Sequence, residues 1–180
     1  MVEGTSLENW RSGNRSVGSN PTSSAVILSP FQQQVDKEKF QVFLFVCPGN
    51  MPFSFAVHPW FVVNKQGVIS RWEVLFTDVP TKTNWGHLYL NRFPPFQGIE
   101  VIHFSQKYFW KAKLFAKIEG QEAKQMADFI ENSQTLYPFR DTYALRGPNS
   151  NTYAQWILNK FPEMKVELPW NSFGKSYHKK

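Results

Sequence analysis

At Gly120 the hydrophobic pattern of this chain changes period. Upstream, apolar residues alternate or run in short blocks closed by Pro, Gly and Asn; downstream they recur every three to four residues. A side chain returns to the same face every second residue in a strand and every 3.6 residues in a helix. The change therefore divides the chain into strands first and helices second. That order selects an α+β class, a small antiparallel sheet packed against two or three helices.

The strands read as follows. Phe40 to Val46 ends at the turn cluster Pro48-Gly49-Asn50, and Phe53 to Val63 leads into Asn64-Lys65-Gln66-Gly67, a hairpin signal. Val68 to Phe76 pairs back on it. Residues 77–97 carry Pro80, Pro94 and Pro95 and read as loop, and 100–104 and 112–118 as further strands. A helix over 121–134 puts Ala123, Met126, Ala127, Phe129 and Ile130 near one face. A second helix over 151–161 ends before Pro162 and faces inward with Tyr153, Trp156, Ile157 and Phe161. Leu168 to Tyr177 is irregular and aromatic.

Composition narrows the function classes. A chain of 180 residues with 17% aromatics buries a core and is neither disordered nor fibrous. One domain over 25–180 is expected. The apolar runs are too short to span a bilayer and the start lacks a charged-then-apolar pattern, so no transmembrane segment and a cytoplasmic location are expected. Cys47 is the sole cysteine, which excludes an internal disulfide and a cysteine-rich zinc site. Four scattered histidines and the lack of a Gly-rich phosphate loop point to no metal and no cofactor. The net charge of +6 draws on Lys107, Lys111, Lys113 and Lys117 and on the tail Lys175, His178, Lys179 and Lys180. These read as solvated lysines, and no nucleic-acid-binding signature accompanies them.

Residues 1–24 are Ser-, Gly- and Asn-rich and aperiodic, a disordered tail or a spurious extension. Gly18-Ser19-Asn20-Pro21 is the in-frame translation of GGTTCGAATCC, the common T-arm of transfer RNA genes. On that reading the start is annotated too far upstream, and the true one lies near Val26 or Leu28.

Chemistry concentrates in Gly147-Pro148-Asn149-Ser150-Asn151-Thr152-Tyr153, a polar turn running into the second helix. Ser150 stands where backbone N–H groups lack helical partners and the dipole favours negative charge, a place for a nucleophile or for a plain helix cap. His58, in the apolar block Phe55-Ala56-Val57-His58-Pro59-Trp60, needs a partner for its ring nitrogens. Glu73, in Arg71-Trp72-Glu73-Val74, lies on the strand expected to pair beside it; it either orients the imidazole or makes a surface ion pair with Arg71. Ser150, His58 and Glu73 thus supply nucleophile, base and orienter, although spacing does not show that they meet. His87 is a second candidate histidine. Cys47, in an apolar strand, reads as a small buried hydrophobe.

The order of a His-bearing strand, a neighbouring strand and a nucleophile at a helix start resembles the circularly permuted branch of the papain-like NlpC superfamily. In its lecithin retinol acyltransferase-like members a helix opens with Asn-Cys-x-x-Phe, and Asn149-Ser150-Asn151-Thr152-Tyr153 occupies that pattern here. More narrowly, Ala56-Val57-His58-Pro59-Trp60, Arg71-Trp72-Glu73-Val74, Tyr137-Pro138-Phe139, the GPNSNTY block, Leu168-Pro169 and Gly174-Lys175-Ser176-Tyr177 resemble an uncharacterised bacterial family over roughly residues 40–177. Serine stands where the superfamily has cysteine. A thiol at such a site is partly ionised at neutral pH, whereas a hydroxyl must be deprotonated during attack.

The resemblance implies a papain-like hydrolase or acyl transferase acting on an amide or ester of a small-molecule, peptide or lipid substrate. Ser150 attacks, His58 is the base and Glu73 orients it. Backbone N–H groups near Ser150 and Asn151 hold the oxyanion, with Asn149 or Thr152 as a further donor. Trp60, Trp72 and Arg71 line the cleft, with His87 near it. The alternative is an inactive binding module that uses Asn149, Ser150 and Asn151 as hydrogen-bonding groups. A second alternative, a basic nucleic-acid or membrane-surface protein, predicts salt-dependent binding lost with Lys107, Lys111 and Lys113.

Overall fold

The computed structural model describes residues 31–77, 79 and 81–178. The expectation about residues 1–24 lies outside the described residues. Eight strands come in the order β1 (Phe40–Pro48), β2 (Val57–Lys65), β3 (Val68–Val74), β4 (Asn84–Trp85), β5 (Leu88–Leu90), β6 (Gln97–Glu100), β7 (Phe109–Lys111) and β8 (Lys113–Glu119). The helices are α1 (Gln121–Glu131), α2 (Ser133–Leu136) and α3 (Ser150–Lys160). The class is α+β. A six-stranded antiparallel sheet runs β4-β5-β3-β2-β1-β8, and β6 and β7 form a separate two-stranded ribbon.

The β2–β3 hairpin closes through Gln66 and Gly67, both at positive φ (53° and 94°), the primed turn that matches strand twist. The second strand is shorter than the apolar block around it. Pro52 and the turns Phe53 N–Asn50 O and Ala56 N–Phe53 O hold residues 53–56 out of the sheet. The Pro-rich stretch 77–97 contains β4 and β5, two short strands whose weak local signal is outweighed by the pairing of β5 with β3 and of β4 with β5. The first helix region breaks at Asn132, leaving α1 and α2.

Because β1 and β2 are buried on both faces, they read as apolar runs. One face carries Val42, Leu44, Phe61 and Val63 against α1 and α3, which contribute Ala123, Met126, Ile130, Tyr153 and Ile157. Phe129 and Trp156, expected inward, are half-buried and meet each other at 4.6 Å. The opposite face carries Phe43, Phe45, Cys47, Trp60 and Val62, covered by Ile99 and by Phe31, Phe93, Phe96 and Trp110. No helix among the described residues is long and apolar enough to cross a membrane. Lys107, Lys111, Lys113 and Lys117 are all exposed.

Candidate functional site

Side chains two apart on a strand share a face. On β2 this puts His58 with Trp60, their rings stacked at 6.1 Å, and on β3 it puts Arg71 with Glu73. His58 Nε2 lies 3.0 Å from Glu73 Oε2, and Arg71 donates to the same oxygen through a terminal N–H at 2.7 Å. Arg71 Nε approaches Glu73 Oε1 at 2.7 Å, with the N–H angled off the line, so that contact is coulombic rather than a hydrogen bond. Arg71 also donates to the carbonyls of Pro94 (2.8 Å) and Gln97, and its guanidinium lies over the rings of Trp60 at 4.4 Å and Phe93 at 5.3 Å.

Arg71 and Glu73 are both fully buried, so this is an interior network and not the surface ion pair open to a sequence reading. Burial alone would push the Glu73 carboxyl up. Arg71 first, and then the His58 hydrogen bond, hold it below the usual carboxylate range. An ionised carboxylate only accepts, so His58 Nε2 carries the proton, and in the neutral ring Nδ1 presents a lone pair. No described residue hydrogen-bonds Nδ1.

Cys47 is the cross-strand partner of His58, a neighbour that the strand pairing reveals and the linear sequence does not. Its thiol is pushed up to about 12 by burial, which keeps it protonated at neutral pH.

The start of α3 is fixed by neighbouring residues, not by Ser150. Asn149 is the N-cap: its Oδ1 accepts from Asn151 N at 3.0 Å and Thr152 N at 3.3 Å, while Thr152 Oγ1 accepts from Asn149 N at 3.1 Å. This is a capping box with Thr at the third position. Ser150 is the first helical residue, is 5% exposed, and no described residue hydrogen-bonds its Oγ or its N–H. Asn151 Nδ2 donates to Val57 O at 2.9 Å and Phe173 O at 3.1 Å, tying the helix start to the residue before His58. Asn151 Oδ1 and Ser172 Oγ are buried there without a partner.

The GPNSNTY block, Leu168-Pro169 and Gly174-Lys175-Ser176-Tyr177 interlock here. Thr152 Oγ1 donates to Gly174 O at 2.7 Å, Asn149 Nδ2 to Phe173 O at 3.0 Å, and Lys175 Nζ to Leu168 O at 2.7 Å. A Cβ on Gly174, where φ is +91°, would stand 2.7 Å from Asn149 Nδ2; one on Gly147, where φ is +101°, would stand 2.7 Å from Tyr177 Cβ. Phe139 meets Tyr177 edge-on at 5.3 Å.

The structure thus joins His58, Glu73 and Arg71 directly and brings Ser150 to the strand end that carries His58. No hydrogen bond joins Ser150 to His58 among the described residues. The two approach from opposite faces of the sheet, since α3 packs on the face carrying Phe61. The other residues expected at the cleft have internal partners. Trp60 is fully buried and donates to Pro95 O, Trp72 donates to Ser70 Oγ and stacks on Trp85 at 5.9 Å, and Arg71 is committed to Glu73. Asn149, Asn151 and Thr152 spend their donors on the chain, and Asn151 N–H, expected at an oxyanion, is bound to Asn149. The His87 ring accepts from Thr77 N through Nδ1 and stacks on Phe76. Exposed aromatics rim the same strand end: Phe55 touches Phe53 at 6.2 Å and Phe173 at 5.9 Å, and Asn171 holds Phe55 O and Val57 N.

A comparison with the curated proteins and one with the solved structures gave no match. Residues 40–177, most of the chain and all of the site, match the family model DUF3750, described as a protein of unknown function, and the chain belongs to that family.

Proposed function

We propose that this protein is a hydrolase or acyl transferase of papain-like type acting on an ester or amide, with Ser150 as nucleophile. The observation that carries the reading is the buried Arg71–Glu73–His58 relay, which leaves only Nδ1 of His58 to take a proton. The Asn149 cap supports it further, because it frees Ser150 from a capping role.

In this mechanism Ser150 Oγ attacks the acyl carbon while His58 Nδ1 takes its proton. His58 then returns the proton to the leaving group, and water or an acceptor alcohol or amine releases the acyl group by the reverse sequence. Glu73 holds the imidazole in one tautomer, and Arg71 keeps Glu73 ionised. The Ser150 N–H at the start of α3 faces the oxyanion. Because Ser150 and His58 reach the end of β2 from opposite faces of the sheet, this mechanism requires substrate binding to bring the two together around that strand end. The aromatic rim of Phe53, Phe55 and Phe173 favours a substrate with an apolar acyl group.

The test is covalent labelling. A fluorophosphonate should add to Ser150, located by peptide mass mapping, and p-nitrophenyl esters should turn over; both should vanish in Ser150→Ala and fall steeply in His58→Ala. Absence of labelling in the native protein overturns the reading. Ser150→Cys then decides what remains. A thiol alkylated fast at neutral pH in a His58-dependent way would mark a formed but silent site, the inactive binding module of the same fold.

A further inference from the structure

Four segments meet at one end of the sheet: the β1–β2 loop (49–56), the loop of the β6–β7 ribbon (101–108), residues 144–148 ahead of α3, and the closing stretch 168–178. Hydrogen bonds tie them to one another. Met51 N–H donates to Val101 O at 2.8 Å, and Asn171 Nδ2 donates to Phe55 O at 2.8 Å. Asn149 Nδ2 donates to Leu145 O and to Phe173 O, each at 3.0 Å.

This end leaves large apolar side chains in water. Trp170 is 84% exposed and Phe55 62%, and Met51, Phe53, Tyr108 and Phe173 are exposed as well. The ring of Phe55 touches those of Phe53 and Phe173, while Trp170 and Phe173 line one open recess with Arg146 and Lys175. Single exposed apolar residues are ordinary, but a group of them rimmed by polar residues marks an interaction surface.

Charge narrows the partner. The four segments carry Lys107, Arg146 and Lys175 and no aspartate or glutamate. Of the acids that adjoin them in the chain, Glu100 is buried and Glu167 is exposed. A second copy would bring the same cations to an isologous contact, with no acid in the patch to meet them. An anionic bilayer suits both features. Its headgroups attract the cations, and aromatic rings settle where headgroups meet acyl chains. Rings that stand this far out need no matching pockets there, as they would on a protein partner.

We propose that this end of the molecule docks on the surface of an anionic lipid bilayer, with Trp170, Phe55 and their neighbours entering the interface and Lys107, Arg146 and Lys175 at the headgroups. Docking is measured without turnover, so it stands or falls apart from the hydrolase reading. Where both hold, the acyl substrate is a membrane lipid.

The full chain is sedimented with sucrose-loaded vesicles of phosphatidylcholine alone, or of an equal mixture of phosphatidylcholine and phosphatidylglycerol. Binding should saturate on the mixed vesicles, be much weaker on phosphatidylcholine, and fall with added salt. Trp170→Ala combined with Phe55→Ala, both at exposed positions, should weaken it by roughly tenfold or more, because each lost ring forgoes burial in the interface. Arg146→Glu combined with Lys107→Glu should weaken it several-fold on the mixed vesicles. Brominated acyl chains should quench tryptophan emission, and Trp170→Phe should remove most of that quenching, which adhesion through lysines elsewhere would not produce. Failure to sediment with the mixed vesicles overturns the proposal, as does binding that loss of Trp170 and Phe55 leaves unchanged. A dimer in sedimentation equilibrium that the same two substitutions dissolve assigns the patch to a second copy, and poly-glutamate bound as tightly as the vesicles assigns it to an acidic protein; either result overturns the proposal. Binding undiminished by the two charge reversals overturns the part assigned to the cations.

Discussion

On the face covered by α1 and α3, the sheet presents Val42, Leu44, Phe61, Val63, Trp72 and Val74 to an apolar interior. On the opposite face, among Phe43, Phe45 and Trp60, it buries Cys47, His58, Arg71 and Glu73. Both faces are dry, yet they are stabilised differently. The helix side gains by removing apolar area from water and by close packing, which demands only suitable volume. The other side bears the desolvation of two full charges, and recovers it only while Arg71, Glu73 and His58 keep their geometry. Such a face contributes less to stability than an apolar one of equal size. What it supplies is an imidazole with one nitrogen committed and one open.

The contrast is most exposed by breaking the charged pair. Arg71→Ala should destabilise by about 3–5 kcal/mol, because it leaves the Glu73 carboxylate buried without its main partner. Glu73 is held below its ordinary value in the fold, so its contribution is complete above about pH 4.5, the ordinary value of a glutamate carboxyl, and is lost as pH falls through the lower folded value. The gap between the native protein and Arg71→Ala, followed by urea unfolding, should therefore be widest near neutrality and narrow under acid. A gap independent of pH would show that Arg71 acts through packing on Trp60 and Phe93.

Ile157→Ala on the helix side should cost about 2–5 kcal/mol through the cavity it leaves, with no such dependence on pH. A pH-dependent loss there would mean that the two faces are coupled through the sheet.

At the join between the faces the expected effects are smallest and the most diagnostic. Asn149→Ala should cost about 1 kcal/mol by uncapping α3, whereas Ser150→Ala should stay within about 0.5 kcal/mol. Equal costs would return Ser150 to the role of a structural cap.

Much of the architecture was legible because it is local. The hairpin at Gln66-Gly67, the short apolar runs of β1 and β2, the switch at Gly120 and the stop before Pro162 are each decided by residues within one turn or one strand. The alternation Arg71, Glu73 also showed that those two side chains share a face. What failed were segments whose structure depends on distant partners: β5 forms against β3 and β4 against β5 within a stretch that carries Pro80, Pro94 and Pro95, and residues 53–56 leave the sheet for a turn.

Candidate chemistry divides along the same line. The sequence by itself determined the α+β order of elements and the kinds of groups available, Ser150 at a helix start, His58 and Glu73 on neighbouring strands, because period and turn chemistry are short-range. Only the tertiary structure decided that Asn149 is the cap, that Arg71 serves Glu73 and not a ligand, that Cys47 stands beside His58, and that Glu100 buries an oxygen without a partner. Strand register and burial make those choices. Both arise from contacts between residues far apart in the chain, and hydrophobic period does not encode which polar atom meets which.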